Sequence, residues 1–440
     1  MTKKTKASIS ESIDKVVMNR FLAFPIFLFV LWAIFQLTFF LGKYPVSLLE
    51  KFFSFLGNTV SSMLPNELLQ SLFVGSVIGG VGGVISFAPN IVILFFLLSV
   101  LEDIGYFPRT VAASDKLLHV FGLHGQSLFP MMLGFGCSVP AIIAARTLTS
   151  RRDRIITILI IPFMSCGAKL PVLVLLASAF FADNAANMVM LIYVLGIVIA
   201  LLAAFVLNKT LLKGELTSYE MTIPPYRAPS MKKALLNMGE NTWHYIKKAG
   251  TVVLASSILI WLVTYFPANK MSDEKIDELR TSFAVEYFDE DVQFIDQRIE
   301  SSLNEERLVN SYAGRFGRFI EPIFKPLGFN WKIAIASIIG LGGKEMMVST
   351  LGILYKAAPE NNEAGSLRDA VAQDPAMTPL IAFCLMLFVL IIPPCFAALS
   401  AIKTEIGWKW LGFEIASLLI LGWLMCFMIY QIGGLLSILW

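Results

Sequence analysis

The stretch Leu133-Gly134-Phe135-Gly136-Cys137-Ser138-Val139-Pro140 places two glycines, a cysteine and a proline inside an apolar segment at 128–145. Glycine and proline both weaken a helix, so this stretch predicts a helix that is interrupted near its centre. A second stretch, Ile339-Gly340-Leu341-Gly342-Gly343-Lys344-Glu345, has the same apolar-Gly-apolar-Gly order. Each is followed by a proline-to-cysteine stretch, Ile161 to Cys166 and Ile392 to Cys395. The pattern predicts an internal duplication with broken helices at matching places.

The composition around these stretches is that of a membrane protein. Hydrophobic residues make up 56% of the 440 residues and charged residues only 15%, whereas soluble domains carry about 25% charged residues. This composition excludes a soluble globular domain, a disordered chain and a secreted disulfide-rich scaffold. We predict an all-α polytopic membrane protein with about eight to ten transmembrane helices in two repeats with broken helices. The apolar segments lie near 21–41, 68–87, 89–101, 128–145, 155–182, 187–208, 249–267, 332–355, 378–400 and 410–439. Glycine and proline are predicted to interrupt several of them, for example at Gly79-Gly80-Val81-Gly82-Gly83 and at Pro89.

Charged residues assign the connecting segments to two sides of the membrane. Residues 1–20 and 209–248 are rich in lysine and arginine and are predicted to be cytoplasmic, whereas 268–330 has thirteen acidic and eight basic residues and is predicted to be external. The predicted order is a cytoplasmic N-terminal segment (1–20), a first span with an amphipathic surface helix (21–67), the first repeat (68–208), a cytoplasmic basic loop (209–248), a span (249–267), an external acidic insert (268–330), and the second repeat with the C-terminal spans (331–440).

Three of the five cysteines, Cys137, Cys166 and Cys395, coincide with the predicted helix breaks. A thiolate is a soft ligand that suits ferrous iron, and a break exposes backbone carbonyls that can complete the coordination. We therefore predict that these three bind metal. Cys384 and Cys426 lie inside uninterrupted apolar segments and are expected to pack as small hydrophobic residues.

Ionisable residues at membrane depth are costly and therefore indicate function. Glu345 is predicted to be a metal ligand or a proton carrier, with Lys344 beside it, and Lys169 is predicted to be a structural counter-ion. Two readings stay open for Glu102 and Asp103: a cation-collecting mouth or an ordinary interfacial helix end. The other residues predicted to support the pore or its gating are Gly134, Gly136, Ser138, Pro140, Ser165, Gly340 and Gly342.

The sequence offers little support for an enzyme. The stretch Gly342-Gly343-Lys344-Glu345 lacks the upstream glycine of a phosphate-binding loop and has glutamate where serine or threonine would meet magnesium. His119, His124 and His244 show no metal-ligand spacing. We predict a transporter without a nucleotide-hydrolysing domain and without a permanently bound cofactor. The cluster Arg146 to Arg154 is interpreted as a topology signal, with docking of an acidic cytoplasmic partner as the alternative.

The strings Gly134 to Ala141, Arg146-Thr147, Ser150 to Arg154 and Pro162 to Cys166 resemble the first Gate motif of the FeoB family, bacterial ferrous iron transporters. Further strings that resemble the family, in its order, are Glu102-Asp103, Gly105-Tyr106, Arg109, Pro224 to Arg227, Gly317 to Pro322, Lys344-Glu345, Pro394-Cys395 and Gly407 to Trp410. The resemblance implies two Gate-type repeats and an iron path matched here by Cys137, Cys166 and Cys395. It also implies a multi-pass protein of the cytoplasmic membrane, with a separate GTP-binding protein docked on its basic cytoplasmic face.

Four residues depart from the family pattern near the implied path. Ser138 stands where the family usually has asparagine, and Gly167, Lys169 and Gly343 stand where it has serine, arginine and alanine. Manganese is therefore a competing substrate for Fe²⁺. A nucleoside or small-solute permease of the Gate type, and a subunit that only anchors a GTPase, are the other hypotheses. The expected partners are a divalent metal ion and the lipid bilayer, with a homo-oligomer left open and no nucleic acid.

Overall fold

The computed structural model describes residues 23–64, 67–106, 118–212, 258–267, 309–355, 363–372 and 374–438, with the single residues 109, 115, 226, 239, 254, 255 and 306. Within these ranges the regular elements are all helical and no strand occurs. The prediction of an all-α protein is confirmed. Residues 1–22, most of 209–257 and most of 268–308 lie outside the described residues, so the predictions for the cytoplasmic segments and for most of the external insert stay predictions.

The helices needed below are numbered in chain order. They are α1 (Ala23–Met63), α2 (Gly79–Ile104), α3 (Leu128–Gly136), α4 (Ser138–Ala144), α5 (Arg151–Ile160), α6 (Leu170–Phe180), α7 (Ala185–Thr210), α8 (Tyr312–Phe324), α9 (Trp331–Ile339), α10 (Glu345–Leu354), α11 (Glu363–Ala372), α12 (Pro379–Ile391), α13 (Phe396–Ile406) and α14 (Trp408–Ile438).

Four helical segments of the described chain are long and apolar enough to cross a membrane. Two of them, Arg151–Phe180 and Pro379–Ile406, contain the proline-to-cysteine stretches predicted from the sequence, and the other two are Ala182–Thr210 and Trp408–Leu435. These segments agree with the predicted spans near 155–182, 187–208, 378–400 and 410–439. The protein is therefore a helical membrane protein.

The chain forms two units, and each unit takes segments from both halves of the sequence. The first unit comprises 1–166, 196–255 and 397–411, and the second comprises 167–195, 256–396 and 412–440. The chain passes from the first unit to the second after Cys166, and it passes from the second unit to the first after Phe396. Two of the five crossings between the units therefore occur at the end of a proline-to-cysteine stretch.

In the first unit, α1 packs along α2. The sequence predicted a span at 21–41 followed by a separate surface helix at 44–67, but the structure has one continuous helix that passes through Pro45. A proline removes one backbone donor, and the helix continues because neighbouring contacts hold it in place. One such contact is at Gly42, where the absence of a side chain lets Asn90 of α2 approach.

The glycine run Gly79-Gly80-Val81-Gly82-Gly83 was predicted to interrupt a helix, and this prediction is wrong, because the run forms the first turns of α2. A β-carbon at Gly82 would lie 2.9 Å from Cγ of Phe53 in α1. Gly82 therefore serves close packing between α1 and α2. Pro89 is likewise accommodated inside α2 without ending it.

In the second unit, α12 is the buried centre, with every residue from Cys384 to Ile391 almost inaccessible. It packs against α6 and against α14, where Gly422 leaves room for Phe388 and Ile391. The Thr378 side chain accepts a hydrogen bond from the N–H of Ile381 and so caps the start of α12. Helix α11, which also packs on α6, was not predicted.

Candidate functional site

In the first unit, Cys137 separates α3 from α4. Its backbone is extended, with φ −153° and ψ 128°, and its N–H donates to the carbonyl of Leu133 at 3.0 Å. The break has a simple cause, since the carbonyl of Gly136 would need the N–H of residue 140 as its helical donor and Pro140 has none. The predicted interruption at this stretch is confirmed. Ser138 and Pro140 are buried in the first turn of α4.

The second break of the first unit follows α5. Residues Ile161–Phe163 form a single 3-10 turn, and the chain then leaves the helix until the turn Gly167–Lys169. Gly134 of α3 contacts this segment, since a β-carbon there would lie 3.0 Å from Cβ of Met164. The glycine break and the proline-to-cysteine break of the first repeat therefore pack against each other.

Ser165 and Cys166 end this break with two unlike side chains. Ser165 is 1% exposed, and its hydroxyl has no hydrogen-bond partner among the described residues. Cys166 is partly exposed and its thiol is free. A buried hydroxyl without a partner is costly and calls for an explanation. A bound cation would supply one, because a hydroxyl oxygen can ligate it beside the thiolate.

The second unit joins its own two breaks by hydrogen bonds. The N–H of Phe396, directly after Cys395, donates to the carbonyl of Leu341 at 2.9 Å. The ammonium group of Lys344 donates to the carbonyl of Pro393 at 3.1 Å. Cys395 therefore lies in a segment that is fixed on both sides to the glycine break between α9 and α10.

Lys169 also contacts the proline-to-cysteine break of the second unit, although in the sequence it lies only three residues after Cys166. Its ammonium group donates to the carbonyl of Leu390 at 2.7 Å, and the side chain is only 2% exposed. Lys344 is buried to the same extent. Both lysines thus bind the chain at the C-terminal end of α12, where partial negative charge accumulates.

The five cysteines fall into two structural classes. Cys137, Cys166 and Cys395 lie at helix breaks and are partly exposed. Cys384 and Cys426 lie within α12 and α14 and are fully buried, and the thiol of Cys426 donates to the carbonyl of Cys384 at 3.2 Å. This division follows the one expected from the sequence. The burial of Cys384 and Cys426 is explained by packing inside their helices.

The remaining predicted site residues are placed as follows. Gly340 caps the end of α9. Gly342 follows it, and a β-carbon there would collide with the side chain of Ile260. Glu345 is the first residue of α10, and Glu102 and Asp103 lie in the last turn of α2. Gly136 is the last residue of α3. The side chains of Glu345 and Glu102 lie outside what the structure describes, so their predicted roles stay predictions. Over the described ranges, no three His, Cys, Asp or Glu side chains converge on one metal position.

Two contacts in the first unit join motifs that sequence reasoning had left apart. The guanidinium group of Arg109 lies 3.7 Å from the centre of the Tyr226 ring, and Arg109 is almost fully buried. Arg146 forms a bidentate ion pair with Glu405, whose oxygens lie 2.6 to 2.9 Å from its nitrogens. The hydrogen bond to Glu405 raises the pKa of Arg146. Arg146 is thus also a structural residue, in addition to the topology role predicted for its cluster. Neither contact could be predicted from the spacing of residues in the sequence, because the two partners of each pair are far apart along the chain.

Comparison with known proteins identifies the family. The Gate model, described as "Nucleoside recognition", matches residues 84–180 and 246–409, and a model described as "Ferrous iron transport protein B C terminus" matches residues 189–241. The Gate match includes Cys137, Cys166 and Cys395. No solved structure matches the chain.

Relatives with iron-transport names match nearly the whole chain. A Porphyromonas gingivalis protein named "Fe(2+) transport protein A/Fe(2+) transporter FeoB fusion protein" is 39% identical over 98% of this chain and 52% of its own length. The "Fe(2+) transporter FeoB" of Campylobacter jejuni is 39% identical over 92% of this chain and 62% of its own length. That of Methanocaldococcus jannaschii is 34% identical over 99% and 60%. The chain thus spans between half and two thirds of the length of these relatives. Because the Gate model matches more than half of its residues, the chain belongs to the Gate family.

Proposed function

We propose that this chain is the permeation unit of a ferrous iron transporter. The observation that carries the proposal is the division of the cysteines, because partial exposure is confined to the three at helix breaks. The names of the relatives support the same substrate. Soft thiolate ligands suit ferrous iron better than magnesium, calcium or manganese, which prefer oxygen.

In this proposal a hydrated ion enters from the side of the acidic insert at 268–330. It exchanges water for the thiolates of the break cysteines, the Ser165 hydroxyl and a Glu345 oxygen. Conduction requires binding strong enough for entry and weak enough for release. Because a metal displaces the thiol proton, uptake should weaken as the pH falls.

The basic cytoplasmic residues, with the N-terminus on the same side, form the proposed docking face for a separate GTPase that regulates transport. Arg151 offers an exposed charge on this face, whereas Arg146 is paired with Glu405. The chain itself is proposed to transport without hydrolysing nucleotide and without a permanently bound cofactor.

The test is metal flux into proteoliposomes that contain only this chain, under reducing conditions, with and without a candidate GTPase. We expect Fe²⁺ uptake that exceeds Mn²⁺ uptake and that falls in Cys137→Ser. Glu345→Gln should lower flux more than it lowers the yield of folded protein. Iron flux unaffected by Cys137→Ser would contradict the proposed path.

A second candidate function is favoured by the description of the Gate model, "Nucleoside recognition". In that case the broken helices would surround an organic solute. Uptake of labelled nucleoside that does not depend on Cys137 and Cys166, in vesicles that take up no iron, would favour this alternative.

A further inference from the structure

The C-terminal end of α12 holds two buried ammonium groups from distant parts of the sequence. Lys169 donates to the carbonyl of Leu390 and Lys344 donates to that of Pro393. All four residues belong to the second unit. The two carbonyls lie five and two residues before Cys395, so the lysines occupy oxygen atoms of the segment that carries this cysteine.

One of these two oxygens, that of Leu390, lacks a helical donor because of the proline pair. In a continuous helix the carbonyls of Val389 and Leu390 would accept from the N–H groups of residues 393 and 394, and both are prolines. The carbonyl of Phe388 still accepts from Ile392 at 2.8 Å. The sequence Pro393-Pro394 thus creates strong acceptors directly before Cys395, and Lys169 occupies one of them.

We propose that Lys169 and Lys344 determine metal specificity at Cys395 by keeping carbonyl oxygens from serving as metal ligands. This inference rests on the proposed function, since it assumes that the metal passes Cys395. Backbone carbonyls favour hard ions such as Mn²⁺, whereas a thiolate favours Fe²⁺. The positive charges repel both divalent ions equally, so the discrimination comes from the ligands that remain. The lysines are positioning residues that act through the carbonyls.

The chain provides a matched control. Lys332 donates to the carbonyl of Leu354 at 3.0 Å, and Leu354 is the last residue of α10. This is also a lysine bound to the end of a helix in the second unit, but no cysteine follows Leu354 in the next ten residues. Lys332→Met therefore removes the same type of contact without freeing a carbonyl beside Cys395.

The experiment is anaerobic equilibrium dialysis of the purified chain against equal concentrations of Fe²⁺ and Mn²⁺, with both bound metals quantified. We expect the bound Mn²⁺ to Fe²⁺ ratio to rise about tenfold in Lys169→Met, the range seen when residues that orient metal ligands are changed. Lys344→Met should raise it in the same direction. Wild type, Lys332→Met and Lys169→Arg should share one ratio, because arginine keeps the charge and the donors.

The inference is overturned if Lys344→Met and Lys169→Met both keep the wild-type ratio, or if Lys169→Arg raises it. The arginine and Lys344 variants keep the test decisive if methionine at 169 prevents folding. Binding of neither metal by the wild type also overturns it. Failure of the proposed function looks different, because the wild type would then bind Fe²⁺ with the expected preference but take up none in proteoliposomes, even with a GTPase present.

Discussion

The two proline-to-cysteine breaks have similar sequences but different surroundings. At the first, the buried hydroxyl of Ser165 has no partner in the described structure and adjoins the partly exposed Cys166. At the second, the carbonyls of Leu390 and Pro393 accept hydrogen bonds from buried lysines. One break leaves an oxygen available beside its cysteine, whereas the other has oxygens already in use.

The difference follows from the number of prolines. Pro162 removes one helical donor in the first break, whereas Pro393 and Pro394 remove two adjacent donors in the second. A buried acceptor without a donor costs about 1–3 kcal/mol, and Lys169 offsets this cost at the carbonyl of Leu390. A duplicated pattern therefore fixes where a helix breaks, but the neighbouring side chains decide which ligands the break offers.

The largest expected effect comes from removing the cysteines at the breaks. Cys137→Ala with Cys166→Ala should lower Fe²⁺ uptake by about tenfold to a hundredfold, the range typical of losses around metal ligands. The matched control is Cys384→Ala with Cys426→Ala, which removes the buried pair and should keep uptake near wild type per folded molecule. Equal losses in the two double variants would erase the distinction between the cysteine classes.

The next largest effect is expected in the stability of the protein, because the second break depends on its lysines. Lys169→Met should lower the free energy of unfolding by about 1–3 kcal/mol, because it leaves the buried carbonyl of Leu390 without this donor. Lys332→Met should cost less, since that contact is only partly buried. Thermal unfolding in detergent compares them, and an equal midpoint for Lys169→Met and wild type would show that the second break does not need its lysine.

A smaller effect is expected at the first break, where it tests whether the Ser165 hydroxyl is a metal ligand or only a packing group. Ser165→Ala should lower Fe²⁺ uptake severalfold and leave stability unchanged or slightly raised, because removing an unpartnered buried hydroxyl relieves a desolvation cost. Ser337→Ala is the control, since that hydroxyl in α9 is also buried and lacks a partner in the described chain, yet lies inside a helix. Fe²⁺ uptake at the wild-type rate in Ser165→Ala would show that the Ser165 hydroxyl is not a ligand, and the proposed difference between the two breaks would then be lost.

Sequence reasoning located the helix breaks at Cys137, Cys166, Gly340 and Cys395, because missing N–H groups and glycine flexibility act locally. It also separated the break cysteines from Cys384 and Cys426. It was wrong at Gly79 to Gly83, where tertiary packing against α1 overrides local propensity. A glycine run thus has different outcomes depending on whether a large side chain fills the space above it.

The contacts of the site could not be predicted in the same way. Lys169 to Leu390 spans 221 residues and Arg146 to Glu405 spans 259, and neither distance has a periodic signature. Lys169 was predicted to be a structural counter-ion, which stays a prediction, and its hydrogen bond to the carbonyl of Leu390 was not foreseen. One usable signal was the proline pair itself, since a buried carbonyl that loses its helical donor, as at Leu390, requires a donor from elsewhere in the fold.

The most direct test of the account is the alkylation rate of each cysteine in the purified, reduced chain, measured by peptide mass spectrometry with and without Fe²⁺. Cys137, Cys166 and Cys395 are expected to react and to be protected by Fe²⁺, because a metal-bound thiolate is not available to the reagent. Cys384 and Cys426 should stay unreactive in both conditions. Rates at the three break cysteines that do not change with Fe²⁺ would contradict the claim that they bind the transported ion.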